Sequence, residues 1–79
     1  MKARVSVTLK DGILDPQGKA IEAALKSLGI EGIESVRQGK LFELELSTED
    51  RAQVSGLLAT ACRKLLANPV IETFDVELL

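Results

Sequence analysis

Ten residues, KDGILDPQGK at positions 10–19, join a predicted strand to a predicted helix. Gly12 can adopt a positive φ without steric cost, which suits a tight turn. Asp15 followed by Pro16 predicts the N-cap and first residue of a helix, because the amide that proline lacks would stay unbonded there. Gly18 lies inside this helix, where glycine costs about 0.5–1 kcal/mol relative to alanine. Its position indicates either a tolerated glycine or a close approach of other atoms to its backbone.

The segments on either side of this junction have clear periodicities. Apolar and polar residues alternate over positions 2–10, which predicts a half-buried strand. After the junction, apolar residues recur at helical spacing, which predicts a helix from about Pro16 to Leu28. Gly29 then stands where a left-handed residue commonly follows a helix.

Two further strands are predicted in the middle of the chain. Residues 33–38 favour a second strand, although their irregular alternation indicates a bulge or a late start. Gly39 and Lys40 would form a hairpin turn. Residues 42–46 alternate strictly and predict a third strand.

A second helix follows, with Ser47 and Asp50 at the spacing of a capping box. An apolar stripe over residues 54–66 runs for more than three turns. Pro69 disfavours helical geometry at the residue before it, so the helix should end near Ala67.

The chain ends in a predicted strand from Val70 to Leu78, which completes the order βαββαβ. At 79 residues the chain is long enough for one small domain, residues 1–79. The expected fold class is α+β: a ferredoxin-like two-layer sandwich, with an antiparallel sheet and both helices on one face. The first strand would be central, and its basic residues would face acidic residues on both neighbouring strands. Such a charge-compensated face, with two sheet edges left open, favours a protein partner over a nucleic acid.

Composition excludes several classes of function. The net charge is −2 and aromatic residues make up 3% of the chain, which argues against a nucleic-acid-binding surface. The chain has one cysteine and no histidine, which excludes a disulfide framework and an ordinary zinc site. No apolar signal segment or membrane span is evident, so we expect a cytoplasmic protein without membrane contact.

Catalytic machinery is also missing from the sequence. Without histidine there is no Ser–His or Cys–His nucleophile pair. No glycine-rich phosphate loop follows a strand. Cys62 lies on the apolar stripe of the second helix, so we expect a buried, inert thiol. A binding or assembly module is therefore favoured over an independent catalyst.

Three motifs occur in order along the chain: VTLK at 7–10 leading into LDPQG at 14–18, VRQGK at 36–40, and LLANPVIE at 65–72. Together they resemble the PurS family, the small subunit of phosphoribosylformylglycinamidine synthase. Each motif is weak alone, but the ordered set is specific and spans nearly the whole chain.

This resemblance implies a non-catalytic subunit of an ATP-dependent amidotransferase in purine biosynthesis. The complex converts formylglycinamide ribonucleotide, ATP, glutamine and water to formylglycinamidine ribonucleotide, ADP, phosphate and glutamate. A PurS homodimer would bring the glutaminase PurQ and the synthetase PurL together and support ammonia transfer. The resemblance also implies that ATP, glutamine and magnesium are bound by the partner subunits, and that this chain binds no cofactor or metal.

The motifs also suggest which residues contact other subunits. Asp15, Pro16, Gln17 and Gly18 would present a rigid helix start, whose glycine allows close approach by a partner. Arg37 and Lys40, on either side of Gly39, could pair with acidic groups across an interface. Alternatively, Gly39 only forms a hairpin and the two basic residues are solvated.

Two other functions share this order of elements. A stand-alone ACT-like module would bind an amino acid at the glycine-containing loop between the first strand and helix, but such modules are usually attached to a catalytic domain. An enzyme of acylphosphatase type needs an arginine in that loop, and residues 10–19 contain none.

Overall fold

A computed structural model describes all 79 residues. The elements in chain order are β1 (Lys2–Leu9), α1 (Pro16–Ser27), β2 (Gly39–Glu45), α2 (Arg51–Ala61), a π-helical segment (Cys62–Leu66) and β3 (Glu72–Leu78). The α+β class with an antiparallel sheet and two helices is confirmed. None of the helices is long and apolar enough to cross a membrane.

The sheet has three antiparallel strands in the order β2-β1-β3, which confirms that the first strand is central. Val5 lies opposite Phe42 on one side and Val76 on the other, so apolar residues of the three strands share one face. On the other face Arg4 lies opposite Glu43 and Glu77. The predicted charge compensation of the open face is therefore confirmed.

The core lies between this sheet and α2. Val54 and Leu58 of α2 and Cys62 of the π-helical segment are fully buried, and they pack against the inward residues of β1. Helix α1 supplies no side chain to either hydrophobic cluster, and its only buried residue is Gly18. The expectation that both helices cover one face of the sheet is thus met by α2 but not by α1.

The predicted second strand at residues 33–38 is wrong: these residues join no sheet. The amide of Val36 instead donates to Glu22 Oε2 at 3.1 Å, and the amide of Gln38 donates to Asp15 Oδ2 at 2.8 Å. The backbone amides that would have donated to a neighbouring strand therefore donate to carboxylates of the α1 region. The predicted hairpin turn at Gly39 is wrong for the same reason, since Gly39 begins β2 and lies opposite Thr8.

The ends of α1 follow the sequence prediction. Asp15 is the N-cap, Pro16 is the first helical residue, and Gly29 has a φ of +77° just after the helix. Gly12 also has a positive φ, +85°, in the loop before the helix.

The second helix begins later than predicted, whereas its predicted end near Ala67 is confirmed, since Ala67 is the C-cap of the π-helical segment. Its N-cap is Asp50 rather than Ser47, and the Asp50 carboxylate accepts the amides of Ala52 and Gln53. At the other end the Ala67 amide bonds the Cys62 carbonyl at 2.9 Å, five residues back. This wider turn shifts the helical phase, so Leu65, predicted on the apolar stripe, is 84% exposed.

Beyond the helix the chain turns sharply around Asn68 and Pro69, as predicted. Asn68 Oδ1 accepts the Val70 amide at 3.1 Å, and the Asn68 carbonyl accepts the amides of Ile71 and Glu72. The last strand accordingly begins at Glu72 rather than at Val70.

Candidate subunit-docking site

One carboxylate ties two of the sequence motifs together at the start of α1. Asp15 Oδ1 accepts the Gly18 amide at 2.9 Å, which caps the helix. Asp15 Oδ2 accepts the Gln38 amide at 2.8 Å, although Gln38 lies 23 residues away in sequence. These two donated bonds, from Gln38 first and then Gly18, hold the pKa of Asp15 below its ordinary value, and the nearby Arg37 charge acts in the same direction.

The same contact explains Gly18. A β-carbon at this position would collide with the Val36 carbonyl oxygen and lie 2.7 Å from Asp15 Oδ2. The close approach predicted from the sequence is therefore real, and within this chain it comes from the carbonyl oxygen of Val36. Gly18 is buried, so it supports the shape of the site from beneath.

Arg37 anchors the loop between β1 and α1. Its Nη1 donates to Asp11 Oδ1 at 2.9 Å, and its Nη2 donates to the carbonyls of Leu9 and Lys10. Three acceptors, at the end of β1 and in the loop after it, bind the two terminal nitrogens of the guanidinium group. The sequence suggested pairing across an interface or simple solvation, whereas the structure shows that Arg37 pairs within its own chain.

The third motif reaches the same end of the sheet through Glu72. This carboxylate accepts the Asn68 amide at 2.7 Å through Oε1, and its Oε2 lies 3.9 Å from Lys40 Nζ. Lys10 Nζ also donates to the Pro69 carbonyl at 2.8 Å. All three motifs are therefore joined by hydrogen bonds or ion pairs at one end of the molecule.

A shallow polar groove of about 180 Å³ lies where the motifs meet. Four of the predicted docking residues line it, namely Asp15, Gln17, Gly39 and Lys40. Gln38 and Glu72 complete its polar wall, with Val7 and Leu9 on the sheet side. Of the other predicted residues, Pro16 is exposed at the first position of α1, whereas Gly18 and Arg37 lie outside the groove.

Sequence reasoning missed two carboxylates that build this site, Glu22 and Glu72. Their side chains are 13% and 14% exposed, far less than an average surface glutamate. Glu72 lies within the third motif, so its place there was the available signal. Glu22 lies on a helix surface, and nothing in its neighbours marks it as the acceptor of a distant amide.

The site carries no evident catalytic chemistry. No three acidic, cysteine or histidine side chains lie close enough together to hold a metal ion. Cys62 is buried in the core, and burial raises the pKa of its thiol, which makes it a poor nucleophile. The residues present are backbone amides, carboxylates and lysines, which are suited to protein recognition.

The family model PurS, phosphoribosylformylglycinamidine (FGAM) synthase, matches residues 2–79. This chain belongs to the PurS family. The PurS subunit of phosphoribosylformylglycinamidine synthase from Mycobacterium leprae is 50% identical over 76 residues, which cover 95% of this chain and 91% of the relative.

Solved structures of the family have the same shape. The structure of Bacillus subtilis PurS matches with a TM-score of 0.87 at 43% identity and covers 96% of this chain and 94% of its own. A chain in the structure of PurLQS from Thermotoga maritima matches with a TM-score of 0.90 at 31% identity and covers 99% of this chain and 95% of its own. The ACT-like alternative is not supported by these matches.

Proposed function

We propose that this chain is the small, non-catalytic subunit of phosphoribosylformylglycinamidine synthase in purine biosynthesis. In the proposed assembly it bridges a PurQ-like glutaminase and a PurL-like synthetase, so that ammonia released by the first is used by the second. The observation that carries this proposal is the near-complete match to a chain of the PurLQS structure.

The chemistry of the site agrees with this division of labour. A chain without histidine, without a reactive thiol and without a cluster of metal ligands need not perform the reaction. We assign the sites for ATP, glutamine and magnesium to the partner subunits. Two copies of this chain form a homodimer in the proposed complex, which acts in the cytoplasm.

The groove at the start of α1 is the proposed docking surface. Gln17 and Lys40 line it with exposed side chains, and the buried Gly18 contact with Val36 holds the helix start in place. Because Asp15 and Arg37 tie the loop before α1, the start of α1 and residues 37–38 together, a partner would meet a preorganised surface. Preorganisation lowers the entropy cost of binding.

Charge reversal tests this surface. Lys40→Glu changes the charge in the groove, and Lys64→Glu makes the same change at an exposed position of the π-helical segment. Binding of each variant to PurL, with and without PurQ, is measured by titration calorimetry, and folding is checked by thermal melting. We expect Lys40→Glu to weaken binding about tenfold or more, as for loss of a charged contact, while Lys64→Glu binds like wild type. Equal binding by both variants would exclude the groove as the docking surface.

A further inference from the structure

Two exposed segments of the chain are joined through Lys10. Its amide donates to the Ile71 carbonyl at 2.8 Å, and its carbonyl accepts the Ile13 amide at 3.1 Å. Its Nζ donates to the Pro69 carbonyl at 2.8 Å. One residue therefore holds the loop that follows β1 beside the turn that precedes β3.

Both segments expose large aliphatic side chains. Leu14 is 71% exposed and Val70 is 77% exposed. Ile13 and Ile71, whose backbones bond to Lys10, are 38% and 36% exposed. A single exposed leucine is ordinary on a protein surface, but four aliphatic residues gathered around one tether form an apolar patch. These four residues together with Lys10 are called the Lys10 patch.

The backbone of the Lys10 patch is held by further hydrogen bonds. On one side Arg37 donates to the Asp11 carboxylate at 2.9 Å and to the Lys10 carbonyl at 3.1 Å. On the other side the Asn68 side chain accepts the Val70 amide at 3.1 Å. Exposed side chains on an ordered backbone lose less conformational freedom when a partner covers them, which favours binding.

Lys10 brings a positive charge into the patch. None of the ion pairs in the chain includes Lys10. The Pro69 carbonyl accepts one of the three hydrogens of the ammonium group, and two remain for other acceptors. Because a covered charge without a partner is costly, a surface that covers this patch has to supply an acceptor, and a carboxylate forms the strongest hydrogen bond.

The Lys10 patch continues the groove described above. Leu9 and Glu72 line that groove, and they lie opposite each other in the pairing of β1 with β3. The next residue on each strand belongs to the patch, since the Lys10 amide donates to the Ile71 carbonyl. A partner that binds in the groove would therefore extend over the patch as well.

We propose that the PurL subunit covers the Lys10 patch with an apolar surface that carries a carboxylate opposite Lys10. This inference rests on the proposed assembly with PurL and extends the docking surface beyond the groove. Leu14 and Val70 are the apolar anchors of the contact, and the groove supplies the polar contacts beside them. This division is typical of protein interfaces, in which an apolar centre lies within a polar rim.

Serine replacements test the two anchors. Leu14→Ser and Val70→Ser each remove an apolar side chain from the patch, and Leu65→Ser is the matched control because Leu65 is 84% exposed outside it. Binding to PurL is measured by titration calorimetry, and thermal melting checks folding. We expect each patch variant to bind about tenfold more weakly or worse, with Leu65→Ser near wild type. Wild-type binding by both patch variants would overturn the proposal.

Failure of this proposal is distinguishable from failure of the proposed assembly. If Lys40→Glu weakens binding and the two patch variants do not, PurL leaves the patch uncovered while the assembly stands. Sedimentation velocity of each variant alone measures its self-association. A patch variant whose self-association weakens as much as its binding to PurL would place the patch between copies of this chain, and would overturn its assignment to PurL.

The salt dependence of binding isolates the charge of Lys10. The screening length falls from about 10 Å at 0.1 M salt to about 3 Å at 1 M. We expect the affinity of wild type for PurL to fall over this range, and that of Lys10→Met to start lower and to change less. An equal salt dependence in wild type and Lys10→Met would contradict a carboxylate opposite Lys10, because loss of the tether alone weakens binding alike at every salt concentration.

Discussion

The α-carbon of Gly18 faces the carbonyl oxygen of Val36 so closely that a β-carbon there would overlap that oxygen. The Asp15 carboxylate closes the same space from the other side, 2.7 Å from the position of such a β-carbon. This contact fixes the start of α1 against residues 36–38, and it forms the base of the proposed docking surface.

Replacing Gly18 with alanine tests this contact against helix propensity. Propensity alone would stabilise the helix by about 0.5–1 kcal/mol. Because the new methyl group meets a backbone oxygen, we expect Gly18→Ala to lower the free energy of unfolding by about 1–3 kcal/mol instead. The measurement is equilibrium unfolding in urea.

Gly56→Ala is the matched control, since a β-carbon at that position of α2 meets nothing within 4 Å. It should raise the free energy of unfolding by about 0.5–1 kcal/mol. If both alanine variants were stabilised alike, Gly18 would be a tolerated glycine and the contact would have no energetic role.

Asp15 predicts a pH-dependent component of stability. Its pKa is lowered in the folded state by the amides of Gln38 and Gly18, so the folded protein holds the proton less tightly than the unfolded chain. That stabilisation is complete above the ordinary aspartate pKa, about 3.9, and is lost as the pH falls through the lower folded-state value. We expect Asp15→Asn to melt well below wild type at pH 7, with the difference shrinking below about pH 4.

The comparison needs a carboxylate without such bonds. Asp75→Asn removes an exposed carboxylate on β3 that accepts no hydrogen bond, and its melting temperature should follow wild type at both pH values. A difference between Asp15→Asn and wild type that stayed constant with pH would show that capping geometry, rather than charge, is responsible.

Arg37 should matter more to the loop between β1 and α1 than Lys40 does. Arg37 contacts one carboxylate and two carbonyls, whereas Lys40 makes a single ion pair at 3.9 Å and is 63% exposed. We expect Arg37→Ala to destabilise the protein by about 1 kcal/mol and Lys40→Ala by less than about 0.5 kcal/mol. Urea unfolding measures the stability of both variants, and limited proteolysis measures the exposure of residues 10–15. Equal losses of stability in the two variants would argue against the anchoring role of Arg37.

The π-helical turn after α2 places two leucines of the predicted apolar stripe in different surroundings. Leu58 is 1% exposed and Leu65 is 84% exposed. Leu58→Ala should cost about 2–5 kcal/mol of unfolding free energy, while Leu65→Ala should change it by less than about 0.5 kcal/mol. A large loss of unfolding free energy from Leu65→Ala would mean that Leu65 is covered by another subunit. In that case the unfolding free energy of the isolated dimer would also depend on protein concentration.

Local signals predicted most of the fold. Strict alternation located β1 and the inner part of β2, and Asp15, Pro16 and Gly29 located the ends of α1, because each effect acts within a few residues. Two of the errors have a clear physical cause, namely those at residues 33–38 and at Leu65. Residues 33–38 donate their amides to carboxylates of the α1 region instead of to a neighbouring strand. Leu65 is turned outward by a single wider helical turn. Neither effect changes the periodicity of the sequence.

The candidate site was predicted in part. The motifs named Asp15, Gln17, Gly39 and Lys40, which meet in one groove. The reason for Gly18 was not predictable, because Val36 lies 18 residues away and only the folded chain brings its carbonyl to the helix. For the same reason, the sequence alone could not show whether Arg37 pairs within its own chain or with a partner subunit.

The most direct test of the central claim is the rate of formylglycinamidine ribonucleotide formation by PurL and PurQ with and without this chain. Glutamine and free ammonium are compared as nitrogen sources, with ATP and magnesium present. We expect product from glutamine only when this chain is added, and product from ammonium in either case, since free ammonia bypasses transfer between subunits. Equal rates from glutamine with and without the chain would contradict a bridging role.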